Sequence, residues 1–365
     1  MLMTADAVGG VWTYSLDLAR GLGAHGVETT LAALGPAPKP DQAEEARAIE
    51  GLRILATGWP LDWTATAPHE VESVAPKIAA LARELRADLI HLNQPALAAG
   101  AVFPVPLVAV CHSCVATWWE AVRAGPLPAD LAWRARLVAR GYRAASALLA
   151  PTRAFAEATA RVYGLREPPR IVPNGSATPD AIASGGPAPF AFTAGRLWDE
   201  GKGLDVLDRA AARVSRPVLA AGPLQGPNGA AVHLRHLRTL GPLSARDVAE
   251  RLAERPVFVS AARYEPFGLA VLEAARAGCA LILSDIPTFR ELWTGAAEFV
   301  SSDDHGVLAA AIEGVLANPA EQARRGEVAR ERTGRYTVEA MTAGVLGVYR
   351  SLLTHPSEPA RVARA

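Results

Sequence analysis

Three cysteines in 365 residues, Cys111, Cys114 and Cys279, cannot build a disulfide framework. Net charge is lacking too, with 37 basic side chains against 37 acidic ones, so no global field advertises nucleic acid or another polyanion. A charged partner has to be met by a local patch. No apolar run approaches the roughly 18 residues that a membrane-spanning helix needs. The opening MLMTADAVGG lacks the basic segment and cleavage site of a signal peptide, and a cytoplasmic location is the expectation. Repeats of solenoid length and long low-complexity tracts are also missing.

What is present is a series of short apolar runs separated by helical patterns. VETTLAAL at 27, LRILATG at 52, ADLIHLN at 87, PLVAVCH at 106 and ASALLAP at 145 form one series. FAFTAG at 190, RPVLAAG at 216, RPVFVSA at 255, ALILSD at 280 and AEFVS at 297 form a second. Runs of this length without strict alternation suit parallel strands covered on both faces by helices. A typical domain of roughly 150 residues makes two doubly wound α/β halves the natural division. The segment IVPNGSATPDAIASGGPAPF at 171–190 has the composition of a turn and linker, and YTVEAMTAGVLGVYRSLL at 336–353 reads as a last helix before a polar tail.

Each half opens alike. A first strand, LMTAD, leads through Gly9-Gly10 into a helix carrying Val11, Leu16 and Leu18; FAFTAG leads through a loop ending Lys202-Gly203 into a helix carrying Leu204 and Leu207. Neither loop is G-x-G-x-x-G, so Gly9-Gly10 is read either as a phosphate-binding loop or as a turn that needs positive φ. Cys111-His-Ser-Cys114 is a single C-x-x-C, read as a zinc or redox pair or as small residues at the end of a buried strand.

Ligands of open parallel sheets gather outside the carboxyl ends of the strands. After FAFTAG come Arg196 and Lys202, a forked donor and a point charge beside a helix start. Together they suit a diphosphate, or they pair on the surface with Asp199, Glu200 or Asp205. After RPVFVSA comes YEPFGLAVLEAARAGCALILSD, in which Glu265 lies at the mouth of a helix running from about Leu269 to Ala277. Glu273 falls inside that helix among apolar residues, where an ionised carboxylate needs partners. A ligand diol such as a ribose would supply them; a pair with Arg276 or Arg263 is the plainer reading, as capping is for Glu265.

Glu265-Pro-Phe-Gly-Leu-Ala-Val-Leu-Glu273 resembles the E-x7-E signature of retaining glycosyltransferases of the GT-B fold, most closely glycosyltransferase family 4. GGVWTYSLDLARGL, VPNGS, AGRLWDEGKGLDVLDRA and LGPLSARDVAERLAERPVFVSAARYEPFG resemble further family motifs in order, from residue 9 to about 350. The resemblance implies two Rossmann-like domains facing a central cleft: an acceptor domain over 1–175 and a donor domain over 176–336. A C-terminal helix over 337–354 would cross back toward the first domain, with a tail at 355–365. Three departures qualify it. LMTAD begins almost at the chain's start, where relatives have several more residues; Ser113 follows His112 where an acid is common; and IPTFREL replaces a Gly-Gly turn, with Glu291 as that motif's expected acid.

Carried over residue by residue, the family implies transfer of a hexose from a nucleoside diphosphate sugar, UDP- or GDP-linked, with the anomeric configuration kept. Glu273 would accept the ribose hydroxyls, and Arg196 and Lys202 would neutralise the diphosphate. Glu265, with the amides of Phe267, Gly268 and Leu269, would hold sugar hydroxyls and phosphate oxygens, and the base would lie near Gly241, Pro242 and Leu243. Gly9, Gly10 and His112 would face the donor from the other domain; for His112 a strand-end histidine bonded within the protein is the alternative. Front-face attack needs no side-chain nucleophile, and no metal or cofactor is expected, in keeping with the lack of any D-x-D.

Trp118 and Trp119, with Trp59 and Trp63, are the acceptor-stacking candidates, core packing being the alternative for each. Residues 123–170 hold nine arginines against Asp130, Glu157 and Glu167. That surface suits an anionic membrane carrying a lipid-linked acceptor, met peripherally at the inner face, or is a solvated helix face. The rival functions are a catalytically silent sugar-nucleotide binder and a GT-B epimerase or phosphorylase.

Overall fold

A computed structural model of the chain describes residues 1–177 and 185–354. The middle of the expected linker and the expected tail at 355–365 lie outside the described residues. The chain divides into two compact units, Met1–Gly175 together with the chain from Val338 onward, and Ser176–Thr337.

The first unit runs β1 (Leu2–Asp6), α1 (Gly10–Gly23), β2 (Thr29–Leu34), α2 (Pro40–Arg47), β3 (Leu52–Ala56), α3 (Pro68–Glu72), α4 (Val74–Glu84), β4 (Ile90–Leu92), β5 (Leu107–Val110), α5 (Val115–Val122), α6 (Ala129–Ala144), β6 (Ala147–Ala150), α7 (Arg153–Tyr163) and β7 (Arg170–Ile171). The second runs β8 (Ala191–Ala194), α8 (Leu204–Ala211), β9 (Val218–Ala221), β10 (Arg238–Gly241), α9 (Ala245–Ala253), β11 (Val257–Ser260), α10 (Leu269–Arg276), β12 (Leu281–Ser284), α11 (Pro287–Trp293), β13 (Glu298–Val300), α12 (His305–Leu316) and α13 (Pro319–Arg332). A last helix, α14 (Val338–Thr354), belongs to the first unit.

Strand order is β3-β2-β1-β4-β5-β6-β7 in one sheet and β10-β9-β8-β11-β12-β13 in the other, and every strand pair within them is parallel. In each unit the winding reverses beside the first strand, between β1 and β4 and between β8 and β11. That reversal opens a crevice at the strands' carboxyl ends, where Gly9-Gly10 and the loop holding Arg196 lie.

The apolar runs become strands because their residues are buried: all five of β1 and all four each of β9 and β12 are inside. The run LRILATG forms β3, but as an edge strand with no fully buried residue, so it is not covered on both faces as the run suggests. Two strands, β7 and β10, arise where no apolar run announces them; both are short edges, β7 exposed and β10 exposed at Arg238 and Thr239. Helix ends follow local chemistry. Thr152 accepts the Phe155 amide to start α7, left-handed Gly164 ends it, and Ser244 and Asp247 form a reciprocal capping box on α9.

Helix α14 completes the core of the first unit, where Met341, Val345 and Tyr349 join Leu18 and Leu22 of α1 and Met3 of β1. Its close crossing depends on Gly21 of α1, since a Cβ there would collide with the Thr342 hydroxyl. That hydroxyl is buried and makes no hydrogen bond among the described residues. Gly21→Ala is therefore expected to cost about 1–3 kcal/mol by overpacking, and Thr342→Ala in the same chain to recover most of it. Urea unfolding of both variants checks this; a double variant as unstable as Gly21→Ala alone would refute the crossing as the cause.

Candidate functional site

In the second unit the chemistry sits on the loops after β8, β11 and β12. Arg196 donates to Asp199 at 3.2 Å, and its guanidinium lies 5.7 Å from the Trp198 ring centre. Asp199 uses its other oxygen to accept the Gly201 amide at 3.0 Å, which caps a single 3-10 turn over Glu200–Lys202. Gly203 then turns with φ 65°, and a Cβ there would collide with the Ala261 carbonyl. Only glycine lets this loop press against the end of β11. The contact is sealed by the Gly201 carbonyl, which accepts the amides of Arg263 and Tyr264 at 2.9 and 3.1 Å.

This seam brings Lys202 to Glu265. The ammonium donates to a carboxylate oxygen at 2.5 Å, with the two side chains only 22% and 17% exposed. Of the two cations, Arg196 meets Asp199, one of the acids considered for it, while Lys202 crosses 63 positions to the mouth of α10. The carbonyl of Glu265 is held in turn by the Thr288 hydroxyl of α11 at 2.6 Å. Gly268 caps α10 at φ 89°, where a Cβ would press on Phe289, Glu265 and Val271. The Val271 and Leu272 amides donate to the Gly268 carbonyl at 3.0 and 3.1 Å, and the amides before them, at the very start of the helix, lack intrahelical acceptors.

Phe267 is buried with its ring edge-on to Tyr336, so only its backbone remains to meet a ligand. Glu273 is half-buried on α10 between Leu272 and Ala274. Of the two cations considered for it, Arg263 clasps Asp205 through two bonds of 3.1 Å and reaches Asp303 at 3.2 Å, and Arg276 donates to the Ser176 carbonyl at 3.0 Å. Gly241 ends β10 with φ 71°, and Leu243 packs on this unit's core. Glu291 is exposed on α11.

In the first unit Gly9 has φ 86°, the positive value that a turn needs, and caps α1; both glycines are exposed. His112 follows β5 and is half-buried, with Nε2 at 2.8 Å from Asn93 Oδ1. The Asn93 amide nitrogen donates to the Thr4 carbonyl and the Ser15 hydroxyl, so Oδ1 is the acceptor and Nε2 of His112 carries the proton. Burial first, then neighbouring His91, pushes the His112 pKa down to about 3, and the ring is neutral at physiological pH. Tyr14 packs edge-on against it at 4.6 Å between ring centres, and its hydroxyl lies 3.5 Å from His91, which Tyr349 of α14 meets at 2.6 Å.

Cys111 is buried with its thiol pushed up to about 12 by burial, and Cys114 caps α5 through the Thr117 amide. Both are built into structure. Among the described residues no group of three or more histidines, cysteines and acids is suited to hold a metal ion.

Trp118 and Trp119 lie on α5 with ring centres 6.4 Å apart, and Trp119 donates to the Gly125 carbonyl at 3.1 Å. Trp119, Leu127, Arg136 and Tyr163 line an open groove of about 530 Å³ between α5, α6 and α7. The arginine surplus here is smaller than the count within 123–170, because Glu72 and Glu120, both outside that stretch, pair with Arg140 and Arg161 at 2.5 and 2.7 Å. Arg134 turns inward onto the carbonyls of Asp62 and Ala65. No helix among the described residues is long and apolar enough to cross a membrane.

Residues 8–178 match Glycosyltransferase Family 4 and residues 179–332 match Glycosyl transferases group 1. The two matches follow one another along the chain, and the architecture is the GT-B fold. A sucrose-phosphate synthase from Thermosynechococcus elongatus shares this GT-B fold with a TM-score of 0.77 at 19% identity, over 97% of this chain and 98% of that one. Anabaena HepE, solved with UDP and glucose, shares it with a TM-score of 0.72 at 16% identity, over 96% and 99%. In sequence, the phosphatidyl-myo-inositol mannosyltransferase of Mycolicibacterium smegmatis is 36% identical over 124 residues, 32% of this chain and 31% of that protein. The chain thus matches about a third of the length of its curated relatives.

Sequence reasoning missed Asp62, in the connection after β3. Burial, then the charge of Asp6, raises its carboxyl from 3.8 to about 6, against the amides of Trp63 and Asp62 and the charge of Arg134. A raised pKa means that the folded protein gains stability from the protonated form below about pH 4 and loses it as pH climbs through 6. Asp62→Asn should therefore be more stable than the parent at pH 8, by on the order of 2 kcal/mol, with the gap closing toward pH 4. Thermal unfolding at pH 4, 6 and 8 measures it, and a gap that does not change with pH counts against the assignment.

Proposed function

We propose that this chain is a GT-B glycosyltransferase that moves a hexose from a nucleoside diphosphate sugar to a glycan, lipid-linked or small-molecule acceptor, with retention and without a metal. The observation that carries the reading is the Lys202–Glu265 pair at the open N-terminus of α10, with Arg196 on the adjoining loop. An ammonium has three donors and Glu265 takes one, which leaves donors for phosphate oxygens beside the helix amides. As the sugar departs, charge grows on the diphosphate, and preorganised donors stabilise that transition state more than the ground state. Glu265 would hold sugar hydroxyls and Glu273 the ribose diol, while Gly241 and Leu243 would border the base.

The first unit would supply Gly9 and Gly10 for close backbone approach and a neutral His112 with its Nδ1 lone pair as an acceptor for a sugar hydroxyl. HepE, solved with UDP and glucose, supports a UDP-linked hexose among the donors, with GDP as the other base to test. The mannosyltransferase relative, named for a phosphatidyl-inositol, supports a lipid-linked acceptor. The groove beside Trp119 and Arg136 is where such an acceptor, or an anionic surface carrying it, would meet the α5–α7 face.

Arg196→Ala and Lys202→Ala should each lower turnover by about two to three orders of magnitude while shifting the unfolding midpoint little. A thermal-shift panel of UDP, GDP and their sugars identifies the base, since a ligand at 100 times its dissociation constant adds about 2.7 kcal/mol. Near-normal turnover in both variants, or no shift with any nucleotide, would end this reading. Turnover in EDTA is expected to equal that in buffer; its loss would refute the metal-independent step.

A further inference from the structure

We propose that Asn93 and Gln94, at the carboxyl end of β4, are positioning residues that lock His112 and the Gly9-Gly10 loop to one another. The inference rests on the donor role proposed above for those two elements. Asn93 accepts from His112 Nε2 at 2.8 Å and donates to the Thr4 carbonyl at 2.8 Å and the Ser15 hydroxyl at 2.9 Å. Its backbone amide reaches the Thr4 hydroxyl at 3.3 Å, and that hydroxyl donates to Gln94 Oε1 at 3.1 Å. Gln94 Nε2 then donates to Asp6 Oδ2 at 3.1 Å, and Asp6 Oδ1 accepts the Val8 amide at 2.8 Å, one residue before Gly9. One unbroken path of hydrogen bonds joins the imidazole to the glycine turn.

Thr4, Asp6, Ser15, Asn93 and Gln94 are each at most 5% exposed. Buried amides are costly unless bonded, and an apolar pair of similar volume would fill the same space without that demand. The ladder crosses from β4 to β1 at the winding reversal, and its two ends are the two groups of this unit proposed to face the donor. It also fixes which imidazole nitrogen bears the proton. With Nε2–H on Asn93, Nδ1 is left as the acceptor.

The test uses the full chain with ¹⁵N-labelled histidine, and hydrolysis of UDP-glucose and GDP-mannose without acceptor as the turnover probe. Wild-type His112 should show a fixed Nε2–H tautomer; an averaged or Nδ1–H pattern overturns the inference before any variant is made. Asn93→Ala should lose that pattern and about 100-fold in turnover, while UDP and GDP affinity changes by less than about threefold. Asn93→Ser, whose hydroxyl is too short to reach Nε2, carries the same expectation if the alanine variant does not fold. Gln94→Met, which cuts the link to Asp6, should cost about tenfold with the His112 pattern kept. Wild-type turnover and tautomer in the Asn93 variants overturn the proposal. His112→Ala separates the two readings: loss there with none in Asn93→Ala sinks the positioning role alone, whereas normal turnover sinks the donor role of His112 and the positioning role with it.

Discussion

The Gly201 carbonyl accepts two amides, from Arg263 and Tyr264, and the geometry of the second unit's site depends on that doubled bond. It joins the loop after β8 to the loop after β11, which are consecutive in the sheet but far apart in the chain. Without the seam, Lys202 and Glu265 would be ordinary surface charges, and exposed ion pairs contribute little. With it, the ammonium lies within 2.5 Å of the carboxylate in a partly buried place. The requirement passes back to Gly203, whose φ of 65° and lack of a Cβ permit the approach.

The two units solve the same problem with different materials. At the reversal point of the second sheet the polar groups are charged: Arg196 with Asp199, Lys202 with Glu265, and Arg263 with Asp205 and Asp303. At the reversal point of the first sheet they are neutral amides, hydroxyls and imidazoles around Asp6, and His91 is held down to about 3 by burial. Charged groups suit a partner whose charge changes during reaction. Neutral, mutually bonded groups suit the holding of hydroxyls in a fixed direction, and they withstand burial because their partners are built in.

Most of the architecture was legible in the chain because parallel strands are buried on both faces and read as plain apolar runs. Strands β7 and β10 were not, since Arg170-Ile171 and Arg-Thr-Leu-Gly are short edges paired on one side, with too few apolar residues to form a run. Among the candidate site residues, Arg196, Lys202, Glu265 and Glu273 were visible from their places after apolar runs. Their pairings were not: nothing local ties Lys202 to Glu265 rather than to Asp199 or Asp205. Asn93 and Gln94 stood in plain view after ADLIHLN, but their partners Thr4 and Asp6 are 88 to 90 positions away, a distance that only the β1–β4 pairing closes. Two of the arginines at 123–170, Arg140 and Arg161, meet acids from outside that stretch, Glu72 of α3 and Glu120 of α5, for the same reason.

The two glutamates of the second unit show why spacing alone does not assign roles. Eight positions apart, they could be an acid and a base flanking one bond, as in glycosidases. Glu265, however, stands before the helix with an ammonium on one oxygen and its carbonyl tied to Thr288, so it serves as an acceptor in a fixed place. Glu273 stands inside the helix, one residue from buried Leu272 and Ala274, with the whole first turn of α10 between it and Glu265. The start of α10 lies between the two in the chain, and a helix N-terminus favours an anionic group. Two acceptor-only carboxylates held on different elements, one before the helix and one within it, are suited to taking separate hydroxyl donors, not to passing a proton across a single bond.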